Sequence, residues 1–535
     1  MGEKPGVFQR RNVIGAVFCV AAFTLVGIRL VDVTLMRGHG GKGLADHTVT
    51  ARADLVDRNG ELLARDLPVQ DLYARPHVFW DKDQAARDLA KATSGDEKRL
   101  RESFDNTKHP YVLIARQITP DTEEKVMHLG LPGLEFEPSA KRYYPGGRIA
   151  AQLVGVTDPD NNGLSGLELG FEDRLRTESD APEPVVTSID SRVQYILSHE
   201  VEDQRETFSA RAAGGVVMDV RTGEIIAMVS LPDFDPNGRD LKGNDSTRNI
   251  MAQDVYELGS VFKIFTFTQA MEDHTVNLDE VFPIGQGYKV GKFTIHEAEH
   301  MPATLSARDI LAQSSNIGTA QIALRDGGVK QRKFLEHMGL LAPVRTELPE
   351  HARPLYPANW GTIETATIAF GQGISVSPLR FVASAASVVN GGREITPTFV
   401  KTDADRRGAQ LIPAQTSETM RGLLRYVVTN GTGKNANVEG YDVGGKTGSA
   451  QVPGPGGRYI PHALRTSFFA AFPVEDPRYI VFVLLDQPHG IKATGGFALA
   501  GQTAAPLAGR VIARIAPLLG VPNQAPPAIL ADGNS

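Results

Sequence analysis

The alternation of apolar and polar positions changes period several times along the chain. Val13 to Ile28 carries no charged residue, and Leu30 to Leu35 extends the apolar run past Arg29 with Asp32 embedded. This approaches the roughly 20 residues of a membrane-spanning helix, and Arg29 can snorkel to the interface. Arg10 and Arg11 precede the run and no small-x-small cleavage site follows it. Residues 13–35 are therefore read as an uncleaved transmembrane signal anchor behind a cytoplasmic tail of residues 1–12. From 45 to 180 the pattern is short, mixed and polar, which predicts an extended module rather than one compact core. Within it, Asn59-Gly60 between Leu55-Val56 and Leu62-Leu63-Ala64 predicts a hairpin. Helices are expected over Asp83 to Leu100, Pro120 to Leu129 and Leu167 to Leu175, and a turn over Arg142 to Gly147.

Pro182 and Pro184 mark a boundary. Beyond it, Val185 to Ile189 reads as a strand, Ser191 to Phe208 as a helix, and Gly215 to Val220 with Glu224 to Ser230 as a hairpin around Arg221-Thr222-Gly223. A mainly helical stretch runs to about Gly339. Tyr441 to Val452, Thr466 to Phe472 and Arg478 to Leu485 then read as strands, and Ala504 to Leu519 as a closing helix. Strands, helices and strands again predict an α+β domain over 185–520, its antiparallel sheet uniting both ends of the segment around a helical subdomain. Residues 521–535, rich in Pro, Ala and Gly, are expected to be a disordered tail.

Composition narrows the function classes. The 535 residues are 41% hydrophobic and 22% charged, ordinary for globular domains. A net charge of −7 without a long Lys/Arg run argues against nucleic acid as a partner. The sole cysteine, Cys19, allows neither an intrachain disulfide nor a zinc-cysteine cluster.

Three short patterns carry chemistry: Ser260-x-x-Lys263, Ser314-Ser315-Asn316 and Lys446-Thr447-Gly448-Ser449. Each of S-x-x-K, S-x-N and K-T-G occurs once, in that order. Together they name acyl transfer through a serine ester. Gly259 can supply an unusual backbone angle, Ser260 falls at an N-cap or first turn, and Val261 to Met271 reads as a buried helix on which Ser260 and Lys263 share a face. The serine hydroxyl needs a base, and Lys263 qualifies if burial and the Lys446 cation press its pKa down while Lys446 stays charged. Ser314 is placed to relay the proton to the leaving amine, and Asn316 to serve Lys263's surroundings or the substrate amide oxygen. Thr447 and Ser449 offer hydroxyls to a substrate carboxylate, and Gly448 would let the substrate backbone approach the strand edge. The backbone N–H groups of Ser260 and Ser449 would form the oxyanion hole.

Other patterns fail on context. His296-Glu297-Ala298-Glu299-His300 matches the zinc-protease signature, which needs a helix. Here strand-like Lys292 to Ile295 runs into it and Pro302 follows, so a loop is expected and no metal. Gly431-Thr432-Gly433-Lys434 lacks the Ser or Thr and upstream glycine of a phosphate loop, and Gly371-x-Gly373 lacks the third glycine of a dinucleotide turn. Both read as turns.

On its three triplets the chain resembles a class B penicillin-binding protein of the division-specific FtsI type. Asp57-Arg58-Asn59-Gly60, Arg142-Tyr143-Tyr144-Pro145-Gly146 and Gly163-Leu164-Ser165-Gly166-Leu167-Glu168 resemble that family's N-terminal motifs. Thr222-Gly223-Glu224, Ser230 to Asn237 and Gly371 to Leu379 resemble its transpeptidase landmarks. Leu258 and Ser449 depart from the proline and threonine of many members, and the second change keeps the hydroxyl.

The resemblance implies a penicillin-recognising serine transpeptidase domain behind an N-terminal pedestal (dimerisation-like) module and one membrane helix. It implies D,D-transpeptidation: Ser260 attacks the penultimate D-Ala carbonyl of a peptidoglycan stem peptide on a lipid-linked precursor, terminal D-Ala leaves, and the acyl group passes to a neighbouring amine. Penicillins and other β-lactams would acylate the same serine. No cofactor is implied. The implied setting is the outer, periplasmic side of the bacterial inner membrane at the septum, with a partner glycosyltransferase of the shape, elongation, division and sporulation (SEDS) type among other division proteins. An elongation-type enzyme and a non-catalytic β-lactam sensor or division scaffold are the competing readings. No E-D-x-x-F glycosyltransferase signature marks a bifunctional synthase. No deacylating E-x-x-x-N follows the second triplet as in β-lactamases.

Overall fold

The computed structural model describes Thr24 and residues 52–176, 182–238, 245–285, 287–454, 456 and 458–524. Thr24 apart, the expected tail and anchor over residues 1–35 lie outside the described residues, as does most of the C-terminal tail. Among the described residues no helix is long and apolar enough to cross a membrane.

Strands β1 (Leu55–Val56) and β2 (Leu62–Ala74) form the expected hairpin, with Leu55 opposite Ala64. Gly60 sits at the turn with φ +92°, a conformation that costs a residue with a Cβ. β2 also pairs antiparallel with β3 (Val112–Ile118) and β4 (Leu134–Tyr143). Helices α1 (Lys82–Thr93), α2 (Glu97–Asp105) and α3 (Pro120–Met127) complete this part, and Leu89, Leu100 and Phe104 bury with Leu72 and Ile114 in a core of their own. One helix was expected over Asp83 to Leu100. Instead Ser94 turns left-handed at φ 54° to end α1, and the Asp96 carboxylate accepts from the Lys98 and Arg99 N–H groups to start α2. Leu167 to Leu175 is likewise two short helices, Gly166–Gly170 and Glu172–Leu175.

Where this module meets the following domain, β1 runs parallel to β5 (Val185–Val186). Beside it lies a buried ion cluster: the fully buried Glu168 carboxylate accepts from Arg52 Nε and Arg142 Nε, each at 2.7 Å, and Arg142 also reaches Asp66 at 3.1 Å. These residues come from four separated segments, so the cluster fixes their mutual positions.

The large domain is built on a five-stranded antiparallel sheet. Its strands are β6 (Ala212–Asp219), β7 (Ile225–Leu231), β8 (Gly444–Pro453), β9 (Tyr459–Phe472) and β10 (Tyr479–Asp486), in the order β8-β9-β10-β6-β7. The two ends of the segment are thus joined by the β10-β6 pairing, as the pattern predicted. Alternate side chains face opposite layers. Phe468 packs with α4 (Ser191–Thr207) and α10 (Ala504–Ile515). Phe469 points the other way, onto a second layer holding α5 (Lys263–Glu272), α6 (Ala307–Gln313), α7 (Asn316–Asp326), α8 (Pro378–Val389) and α9 (Ala414–Asn430). At that layer's centre the Phe381 ring lies 5.3–6.1 Å from the rings of Phe262, Phe265, Phe469 and Phe482. This packing seats the first turn of α5 against the sheet edge.

Replacing Glu168 by alanine removes one of two carboxylates from each of two buried guanidinium groups, Arg52 keeping Glu172 and Arg142 keeping Asp66. A stability loss of about 3–5 kcal/mol is expected, measured as a lowered unfolding midpoint. Arg116→Ala, at the exposed Arg116–Asp160 pair, should cost less than about 1 kcal/mol.

Candidate active site

The chain approaches Ser260 through a tight 3-10 turn, Gly259–Phe262, that continues into α5. Ser260 is therefore inside the turn rather than its N-cap. Gly259 has φ +62°, and a Cβ there would come within 2.6 Å of the Ser449 carbonyl oxygen. A Cβ on Gly448 would lie 2.6 Å from the Leu258 carbonyl oxygen and 2.9 Å from Val261 Cγ1. Gly448 is thus bare because β8 lies directly on the serine turn; the space was expected to serve the substrate. The same closeness brings the backbones of Ser260 and Ser449 to one lip of the site.

Just before the turn, the buried Glu257 carboxylate accepts from the Gly373 N–H and the Tyr459 hydroxyl, each at 2.9 Å. Burial pushes its carboxyl pKa up. Glu257 went unnoticed in the sequence because its partners lie more than a hundred residues away.

Ser314 ends α6 in the left-handed region at φ 65°, and Ser315 caps α7 through the Gly318 N–H. That break points both Ser314 and Asn316 inward. Glu297 reinforces it: its carboxylate accepts from the Ser315 hydroxyl at 2.5 Å and from the N–H groups of Asn316 and Ile317 at 2.8 and 3.0 Å. A carboxylate is favoured at a helix N-terminus. His296 to His300 is a loop, as expected, so no helix face presents the two histidines.

Both lysines are fully buried. Lys263 Nζ donates to the Ser314 carbonyl at 2.5 Å, the Ser314 hydroxyl at 3.2 Å and Asn316 Oδ1 at 2.9 Å. Lys446 Nζ donates to the Ser314 hydroxyl at 2.9 Å and to the Thr447 carbonyl and hydroxyl at 3.0 and 3.3 Å. Burial lowers the Lys263 pKa to about 7, with Glu297 pulling the other way. Burial and the neighbouring Lys263 charge also press Lys446 well below its ordinary value. Burial thus weighs against the charge on both amines, not on Lys263 alone. Glu297 supports the charge on Lys263, whereas among the described residues no carboxylate does so for Lys446. The Ser314 oxygen, receiving from both amines, has its own proton left to direct elsewhere.

An open cleft of about 310 Å³ lies over these groups, lined among others by Ser260, Ser314, Asn316, Thr447 and Ser449. The Ser260 hydroxyl makes no hydrogen bond among the described residues, and the Ser449 hydroxyl accepts only from the Ala500 N–H, at 3.2 Å. Thr432 pairs with the Thr447 hydroxyl at 2.6 Å, and Asn435 ties the wall to the Gly501 carbonyl at 2.7 Å. Both come from the turn rejected as a phosphate loop. That turn was legible; its seat beside β8 was not, since nothing local encodes it. All eight residues singled out in the sequence converge here, with the lysines beneath the floor and Gly448 behind it.

Residues 213–509 match the family profile of the penicillin-binding protein transpeptidase domain, and residues 47–195 that of the penicillin-binding protein dimerisation domain. A probable peptidoglycan D,D-transpeptidase FtsI from Caulobacter vibrioides is 37% identical over 514 residues, covering 93% of this chain and 87% of its own length. The peptidoglycan D,D-transpeptidase FtsI of Escherichia coli is 28% identical over 479 residues, covering 84% and 81%. The crystal structure of penicillin-binding protein 3 from Mycobacterium tuberculosis complexed with aztreonam matches with a TM-score of 0.70 and 25% identity, over 89% of this chain and 98% of that one. With the transpeptidase profile spanning more than half of its length and a relative 37% identical over nearly all of it, the chain belongs to the class B penicillin-binding proteins, enzymes of the peptidoglycan D,D-transpeptidase type.

Proposed function

We propose that this enzyme cross-links peptidoglycan stem peptides at the division septum through an acyl ester on Ser260. The observation that carries the proposal is the meeting of two buried lysines on the Ser314 hydroxyl beneath the cleft that Ser260 lines. Neutral Lys263 takes the Ser260 proton as the oxygen attacks the penultimate D-Ala carbonyl. The tetrahedral oxyanion faces the N–H groups of Ser260 and Ser449. As the C–N bond breaks, Ser314 passes a proton to the departing D-Ala amine and is reprotonated from the lysine pair. A second stem's amine then attacks the ester, returns its proton along the same path, and frees Ser260. The terminal carboxylate of the donor stem meets Lys446, Thr447 and Ser449, and its charge draws the pair's proton onto Lys446, leaving Lys263 the neutral base. β-Lactams enter by the same attack, and no cofactor takes part.

The similarity to two FtsI proteins supports the septal assignment. In this reading residues 13–35 anchor the enzyme in the inner membrane with its catalytic domain outside. That anchor and the N-terminal module hold a SEDS-type glycosyltransferase partner.

Ser260→Ala is expected to abolish fluorescent-penicillin labelling; persistent labelling would remove Ser260 as nucleophile. Lys263→Arg, which keeps a cation but cannot accept the proton, should slow acylation by at least about 100-fold. The neutral amine is the working form, and the Lys263 pKa is lowered to about 7. The acylation rate should therefore rise with pH through that value and level off about one unit above it. A rate independent of pH across that range would contradict Lys263 as base.

A further inference from the structure

A second cavity, of about 240 Å³, shares no lining residue with the active-site cleft. It lies between α8, the end of the helix Gly328–His337, the segment through Arg345, and Glu394 to Pro397. Arg380, in the first turn of α8, lines it together with Arg345, His337, Ser387, Thr396 and Glu394.

Arg380 is left unsatisfied. Its Nε is buried without a hydrogen-bond partner, and among the described residues its side chain has neither a hydrogen bond nor an ion pair. The guanidinium lies over Gly339, where an added Cβ would stand 3.2 Å from Nη2. Burial pushes its pKa down to about 10, only partly opposed by Glu394. The side chain as a whole is half-buried, but a guanidinium Nε shut off from water is ordinarily paired, because an unmet buried donor is costly. Glu394, the carboxylate whose charge acts on it, does not come within ion-pair distance. Arg345 also lacks a partner among the described residues, though it is exposed.

We infer that this cavity binds a small molecule or chain end through one oxyanion group, a carboxylate or a phosphate, held by the Arg380 fork with Arg345 beside it. The planar guanidinium presents parallel N–H groups that match such an oxyanion. The Ser387 and Thr396 hydroxyls supply further donors. Glu394 limits the ligand's negative charge, which selects a single oxyanion group on a body otherwise neutral or cationic. The volume falls just below the usual range for ligand sites, suited to a compact metabolite or terminal group.

Calorimetric titration of the detergent-solubilised full chain with sodium acetate and with inorganic phosphate tests the assignment. Ser260 is first acylated with benzylpenicillin, so that the active-site lysines do not report. Saturable binding of at least one probe is expected, weakened at least about tenfold in Arg380→Gln, as loss of a charge-assisted bond requires. Normal penicillin labelling of that variant shows that it is folded. If it is not, Arg345→Gln on the exposed rim replaces it and should weaken binding severalfold. Acetate binding assigns a carboxylate ligand and phosphate binding a phosphate-bearing one. No saturable binding of either probe, or equal binding in the folded variant, overturns the inference.

Discussion

Two lysine amines buried against one serine hydroxyl constrain the whole catalytic domain. Lys263 and Lys446 come from a helix and a strand nearly two hundred residues apart, yet both donate to Ser314. Placing them without exposing either to water requires the Phe381-centred core beneath α5, the joined halves of the sheet, and the left-handed turn at Ser314. The result is a pair of amines that resist being charged together. That makes one available as a base near neutral pH.

The surrounding contacts follow from the same requirement. β8 must lie close enough to the serine turn for Lys446 to reach Ser314, and this leaves no room for a Cβ at Gly448 or Gly259. Glu297 holds the start of α7, so that Asn316 faces Lys263 rather than solvent. Glu257 fastens the approach to the turn from the other side. The N-terminal module uses charge differently. Around Glu168 opposite charges meet in full burial and join distant segments, whereas at the active site like charges are brought together.

Much of this was legible in the sequence where the information is local. The Asn59-Gly60 hairpin, the β6-β7 hairpin and the three later strands were readable from turn residues and alternation. The eight site residues were readable because each triplet packs its chemistry into three or four positions. What failed was non-local or smaller than the reading window. The Ser94-Gly95-Asp96 stop and restart was hidden inside an apparently continuous amphipathic period. Glu297 lies in a pattern that locally points only to metal, Thr432 in one that points only to phosphate, and the serine turn behind Gly448 is invisible in one dimension. The downward pull on Lys446 could not be read either, since it comes from burial beside Lys263.

In the proposed mechanism Ser314 couples the two lysines to the reacting groups. Acylation of Ser314→Ala by benzylpenicillin, followed in single turnover across pH, tests it most directly. A fall of about 100-fold or more in rate is expected, with a displaced pH midpoint and Ser260 still the labelled residue. An unchanged rate with an unchanged pH profile would contradict it.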